Sequence, residues 1–139
     1  MKLNDLVRRI DHTGASDADI TAITYDSRKA GPGALFVCLV GAWLDGHTYA
    51  ESAYRNGCRA FLVERTLVLP ADAVQIVTED TRAALAVIGA DFYGNPADEL
   101  HLIGITGTKG KTTTALLTAA IMTEAGLPCA YIGSNGVDI

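Results

Sequence analysis

"GITGTKGKTTT", residues 104–114, decides how this chain is read. An apolar run, residues 100–106, enters a glycine turn, and a run of helix formers begins at Lys111. Strand, glycine turn and helix in that order form the context of a phosphate site. Gly107 and Gly110 let the backbone take positive φ and come close to an anion. Successive N–H groups and the open start of the helix then point at phosphate oxygens. The stretch departs from the strict pattern G-x-x-x-x-G-K-[ST]. Counting back from Gly110-Lys111-Thr112, a glycine is due where Ile105 stands. Gly107 begins a shorter loop instead. In that loop Lys111 would bridge the β- and γ-phosphates of ATP, and Thr112 would set its hydroxyl on Mg²⁺. Thr108, Lys109 and Thr113 complete the candidate ATP contacts, with Lys111 as the candidate catalytic group. The plainer alternative is an ordinary strand–helix joint with a surface lysine.

Periodicity extends the pattern in both directions. Apolar residues at helical spacing predict helices over 3–10, 48–57, 80–93 and 111–126. Apolar or alternating runs predict strands over 20–26, 35–40, 59–64, 73–78, 100–106 and 129–134. The sequence Gly94-Asn95-Pro96 stops a helix and marks a boundary. The expected fold is α/β: a small mixed domain over 1–96, then the first βαβ unit of a P-loop domain over 97–139. The helix after the loop is apolar on most faces, as suits one buried against a sheet. One βαβ unit does not make a stable sheet domain, so 97–139 is expected to open a larger domain.

Composition narrows the function classes. Hydrophobic residues make up 49% of the 139, enough for a packed core. A formal net charge of −5 argues against sequence-independent nucleic-acid binding, which depends on many Lys and Arg contacts. Cys38, Cys58 and Cys129 form no Cys-x-x-Cys pair and read as thiols of a reducing compartment. No run of about 18 apolar residues occurs, so no membrane span is expected, and the chain reads as cytoplasmic.

A second signature lies upstream. Asp26-Ser27-Arg28, Pro32-Gly33, Leu35-Phe36-Val37, Gly41, Asp45-Gly46-His47, Gly57 and Ala60 follow one another in order. Together with Gly107-Thr108-Lys109-Gly110-Lys111-Thr112, this series resembles the Mur ligases, the amide-forming enzymes of peptidoglycan precursor synthesis. The resemblance spans essentially the whole chain. Thr108 is typical of the branch that adds the third residue of the peptide. The branch that adds D-Ala-D-Ala shares the upstream domain but more often carries serine at the position of Thr108.

The resemblance implies that residues 1–96 hold the UDP end of a UDP-MurNAc-dipeptide, and that a second substrate is an amino acid, diaminopimelate or lysine. Ser27 and Tyr25 match uridine-side positions, as do Ala42 and Trp43 in the loop 41–44. An indole at 43 is unusual for the family; it could stack on a base or pack against the protein. Asp26 and Arg28 read as architectural, and His47 as a loop-shaping or helix-capping residue rather than a catalyst. In the family, ATP phosphorylates the substrate carboxylate, and the acyl phosphate is attacked by the incoming amine. The family's carbamylated lysine, other metal ligands and amino-acid domain fall beyond 139. The intact enzyme is therefore expected to be a monomeric ligase, and this stretch alone to be inactive. A non-catalytic UDP-sugar-binding module and an unrelated P-loop NTPase are the other readings.

Overall fold

The structure is a computed structural model and describes residues 1–138. It divides into two compact units, 1–99 and 100–139.

The first unit is built on four parallel strands in the order β1-β2-β3-β4: Ala22–Thr24, Ala34–Val37, Ala60–Val63 and Val74–Val77. β2 and β3 are buried at every residue. An all-parallel sheet is covered on both faces, so its central strands read as unbroken apolar runs. Leu35, Val37, Leu62 and Ile76 pack on one face with Leu3, Leu6 and Val7 of helix α1 (Leu3–Val7) and with Ala84 and Ile88 of helix α3 (Thr81–Phe92). Phe36, Phe61 and Val63 face the other way, onto Ala50 and Ala53 of helix α2 (Ala50–Arg55). Phe36 and Phe61 are register partners whose rings meet edge to face at 6.2 Å.

Several elements are shorter than their periodicity suggests, because capping side chains intervene. The expected strand over 20–26 ends at Thr24, since Asp26 caps a 3-10 turn at Ser27–Lys29. The expected strand over 35–40 ends at Val37, and residues 40–45 form a tight loop. The expected helix over 48–57 begins with a 3-10 turn, Gly46–Tyr49, capped by Asp45. Asp80 caps α3 by accepting from the N–H groups of Arg82 and Ala83, each at 2.9 Å.

The second unit corrects the expected βαβ arrangement. Helix α4, Lys111–Glu124, is present. Residues 100–106 form no strand among the described residues, and Leu100, Leu102 and Ile103 are exposed. Strand β5 (Tyr131–Gly133) pairs instead with β6 (Gly136–Asp138) as an antiparallel hairpin. A strand is defined by its partner, and β5 takes the segment next to it across a tight turn. The expected burial of α4 is also corrected. Leu117 and Ile121 are exposed, because a two-stranded hairpin covers little of a helix.

Candidate functional site

In open parallel sheets, ligands bind beyond the carboxyl ends of the strands. In the first unit that edge carries the candidate UDP residues. Tyr25 follows β1 and is exposed; Ser27 opens the 3-10 turn. Asp26 and Arg28, the architectural pair, close on each other. Arg28 donates Nε–H to Asp26 Oδ1 at 2.9 Å and Nη2–H to Oδ2 at 2.7 Å, and its backbone N–H reaches Oδ1 at 3.0 Å. The Ser27 carbonyl accepts from Asn56 Nδ2 at 2.8 Å, which ties the turn to the end of α2.

The Arg28 side chain, then its backbone N–H, holds the Asp26 carboxyl down to about 2 from 3.8. A depressed folded-state value means stabilisation present above pH 3.8 and lost as pH falls towards 2. Asp26→Asn is therefore expected to lower the urea midpoint near neutral pH, with the gap to wild type closing as pH falls through that window. A gap that stays constant down to pH 2 would show that the ionised pair contributes nothing.

The loop after β2 holds the other two candidates. Val40 and Asp45 form an antiparallel bridge, and the Gly41 N–H donates to Leu44 O at 2.8 Å. Ala42 and Trp43 sit at the tip. Trp43 is 98% exposed, which removes the packing reading for its indole among the described residues. The base of the loop, by contrast, is braced. A Cβ at Gly46 would lie 2.7 Å from the Leu39 backbone nitrogen, so only glycine lets the legs come together. The His47 ring is buried, donates from Nδ1 to Asp45 Oδ1 at 2.6 Å, and accepts the Glu64 N–H on Nε2 at 2.9 Å. Those partners define the neutral Nδ1–H form. Arg65 first, then the His47 backbone N–H, hold the Asp45 carboxyl below the usual carboxylate range. Glu64 in turn accepts from the Thr81 N–H at 3.1 Å and hydroxyl at 2.9 Å.

His47 is thus a loop-shaping residue, as its place after Asp45-Gly46 suggests. Its distant partner and the contact behind it were not legible in the sequence. Glu64 and Thr81 are each 17 residues from the group they bind, and no local pattern links them. Arg82, which donates Nη2–H to the Val40 carbonyl at 3.1 Å, was missed for the same reason.

In the second unit, the candidate ATP residues 107–113 form a bend that runs into α4. Gly110 is the N-cap, in the left-handed region at φ +76°, with no side-chain cap. Open space surrounds the position its Cβ would occupy. The first turn of α4 therefore keeps its N–H groups free of any capping side chain, which fits an anionic group. Lys111 folds across the bend and donates to the Gly107 carbonyl at 2.6 Å. Lys111 and Thr112 line a cleft of about 450 Å³ within this unit, together with Ile105, Cys129, Tyr131 and Ser134. Thr108, Lys109 and Thr113 do not line it. Among the described residues there is no cluster of His, Cys, Asp and Glu fit to hold a metal. Among the described residues, no helix is long and apolar enough to cross a membrane.

The chain thus combines a parallel sheet that carries a braced loop at its carboxyl edge with a glycine bend that leads into a helix. The chain belongs to the Mur ligase family: residues 19–93 match the model described as "Mur ligase family, catalytic domain". It is 42% identical over 137 residues to the UDP-N-acetylmuramoyl-L-alanyl-D-glutamate–2,6-diaminopimelate ligase of Syntrophomonas wolfei, covering 96% of this chain and 28% of that protein. A solved structure of a ligase with the same name superposes over 100% of this chain and 28% of its own, with a TM-score of 0.75 at 26% identity. The MurF ligase of Thermotoga maritima, solved in complex with ADP, matches 78% of this chain and 25% of its own at a TM-score of 0.56 and 26% identity. The chain thus spans a little over a quarter of the length of the relatives it matches.

Proposed function

We propose that this chain is the N-terminal part of a MurE-type enzyme. Such an enzyme joins diaminopimelate to UDP-MurNAc-L-Ala-D-Glu at the expense of ATP. The observation that carries the reading is the 42% identity, across 96% of the chain, to a ligase named for that reaction. Residues 1–96 are assigned to the UDP end of the substrate and 97–139 to the start of the ATP-binding domain. The protein is assigned to the cytoplasm as a monomer, with no nucleic-acid or membrane partner.

ATP, when bound, supplies the phosphoryl group that activates the substrate carboxylate. The chain's own residues bind and orient. The Lys111 ammonium and the free N–H groups at the start of α4 offset phosphate charge. The Thr112 hydroxyl is the candidate Mg²⁺ contact, and Gly107 and Gly110 let the backbone approach. Tyr25, Ser27, Ala42 and Trp43 receive the uridine. The D-Ala-D-Ala-adding MurF reaction is the second reading, favoured by the likeness to the Thermotoga enzyme.

The deciding assay offers the full-length protein UDP-MurNAc-L-Ala-D-Glu, ATP, Mg²⁺ and separate amino acids. Amide formation with diaminopimelate is expected. Joining of D-Ala-D-Ala to a tripeptide substrate instead would replace the first reading with the second. For the uridine contact, Trp43→Ala is expected to weaken UDP binding about tenfold, a stacking contact's usual worth. Calorimetric titration showing equal affinity would remove Trp43 from the site.

A further inference from the structure

Trp43 and Arg82 meet at one loop. The Arg82 guanidinium leaves the first turn of α3 and anchors on the Val40 carbonyl, the near leg of the loop whose tip is Trp43. It differs from five of its six fellows. Arg9, Arg28, Arg55, Arg59 and Arg65 each bind a carboxylate. Arg82 makes no such pair among the described residues, and it is exposed. The nearby Asp80 carboxylate is engaged as the α3 cap. A guanidinium has five N–H donors in a fixed fork suited to phosphate oxygens, and the bond to Val40 uses one.

Val40 and Trp43 are three residues apart, so their Cα atoms lie within about 10 Å of each other. The bracing by Gly46, His47 and Asp45 keeps the loop's legs together.

We propose that Arg82 is a diphosphate contact of the uridine site, so that this edge of the sheet selects a nucleoside diphosphate over a nucleoside. The proposal rests on the assignment of Trp43 and Ser27 to uridine. Arg82 would contribute charge and donors at the phosphate end while its bond to Val40 keeps it beside the loop.

The test titrates uridine and UDP separately into the wild-type chain and into Arg82→Gln. Trp43, the chain's one tryptophan, serves as the fluorescent reporter, and calorimetry checks the result. Glutamine stays polar but removes the charge. Wild type is expected to bind UDP more tightly than uridine. Arg82→Gln is expected to lose about tenfold for UDP, the worth of a charged hydrogen bond, with uridine affinity unchanged. Equal wild-type affinity for the two ligands would leave the uridine site standing and overturn the role of Arg82. Equal weakening for both ligands in the variant would reduce Arg82 to a loop brace, and an unweakened UDP affinity would also overturn the proposal. Failure of wild type to bind either ligand would overturn the uridine assignment and this proposal together.

Discussion

On the proposed MurE-type reading, Lys111→Ala in the full-length protein is expected to lower amide formation by roughly 10²–10³-fold, the usual cost of removing one preorganised donor from developing charge. Lys111 is the first residue of α4, beside the uncapped N-terminus, and lines the cleft with Thr112. Its ammonium already reaches back over the bend to the Gly107 carbonyl at 2.6 Å. It pairs with no carboxylate among the described residues, so its charge is available to phosphate oxygens. The loss should fall mainly on kcat, because charge is neutralised most as the phosphoryl group transfers. Lys111→Arg keeps the charge but brings a broader group into the narrow bend, and should recover only part of the rate. Product formation measured with UDP-MurNAc-L-Ala-D-Glu and diaminopimelate decides the matter. Alanine turnover within a few-fold of wild type would show that the bend is an ordinary loop–helix joint.

Phe61→Ala is expected to destabilise the first unit by about 3–5 kcal/mol, the range for a large aromatic removed from a core. Phe61 is fully buried in β3 between β2 and β4. Its ring meets Phe36 edge to face, and both lie over α2. The cavity cannot close easily, because parallel strands on both sides hold the Phe61 backbone in register. Phe61→Leu, which keeps most of the volume, should cost clearly less. Urea unfolding followed by far-ultraviolet circular dichroism reads both. A loss below about 1 kcal/mol for alanine would mean the site collapses freely, contrary to a close-packed layer.

Much of the first unit was legible because its signals are local. The runs "LFVC" and "AFLV" are apolar without alternation, and β2 and β3 prove buried at every position. Asp26, Asp45 and Asp80 each stand before a turn or helix that they cap. Side-chain caps act over two or three residues, but only the self-bracing Asp26–Arg28 turn was read from spacing, and the capping by Asp45 and Asp80 was not. The boundaries were less legible, because periodicity continues past the point where a cap ends an element. The strand over 100–106 was misread for a related reason. "LHLIGIT" has strand-like composition, but composition cannot supply a pairing partner, and β5 pairs with β6.

By itself, the sequence determined the family, the order of the main helices and strands in the first unit and the residue types at the two candidate sites. Motif order and spacing are properties of the chain, and they survive without coordinates. Only the tertiary structure decided what those residues do to one another. It left the Trp43 indole free of packing, buried the His47 ring between Asp45 and the Glu64 amide, and brought Arg82 to the Val40 carbonyl across 42 residues. Such contacts depend on which strand ends meet at one edge of the sheet. That meeting is fixed by the burial of both sheet faces, not by any stretch of sequence read alone.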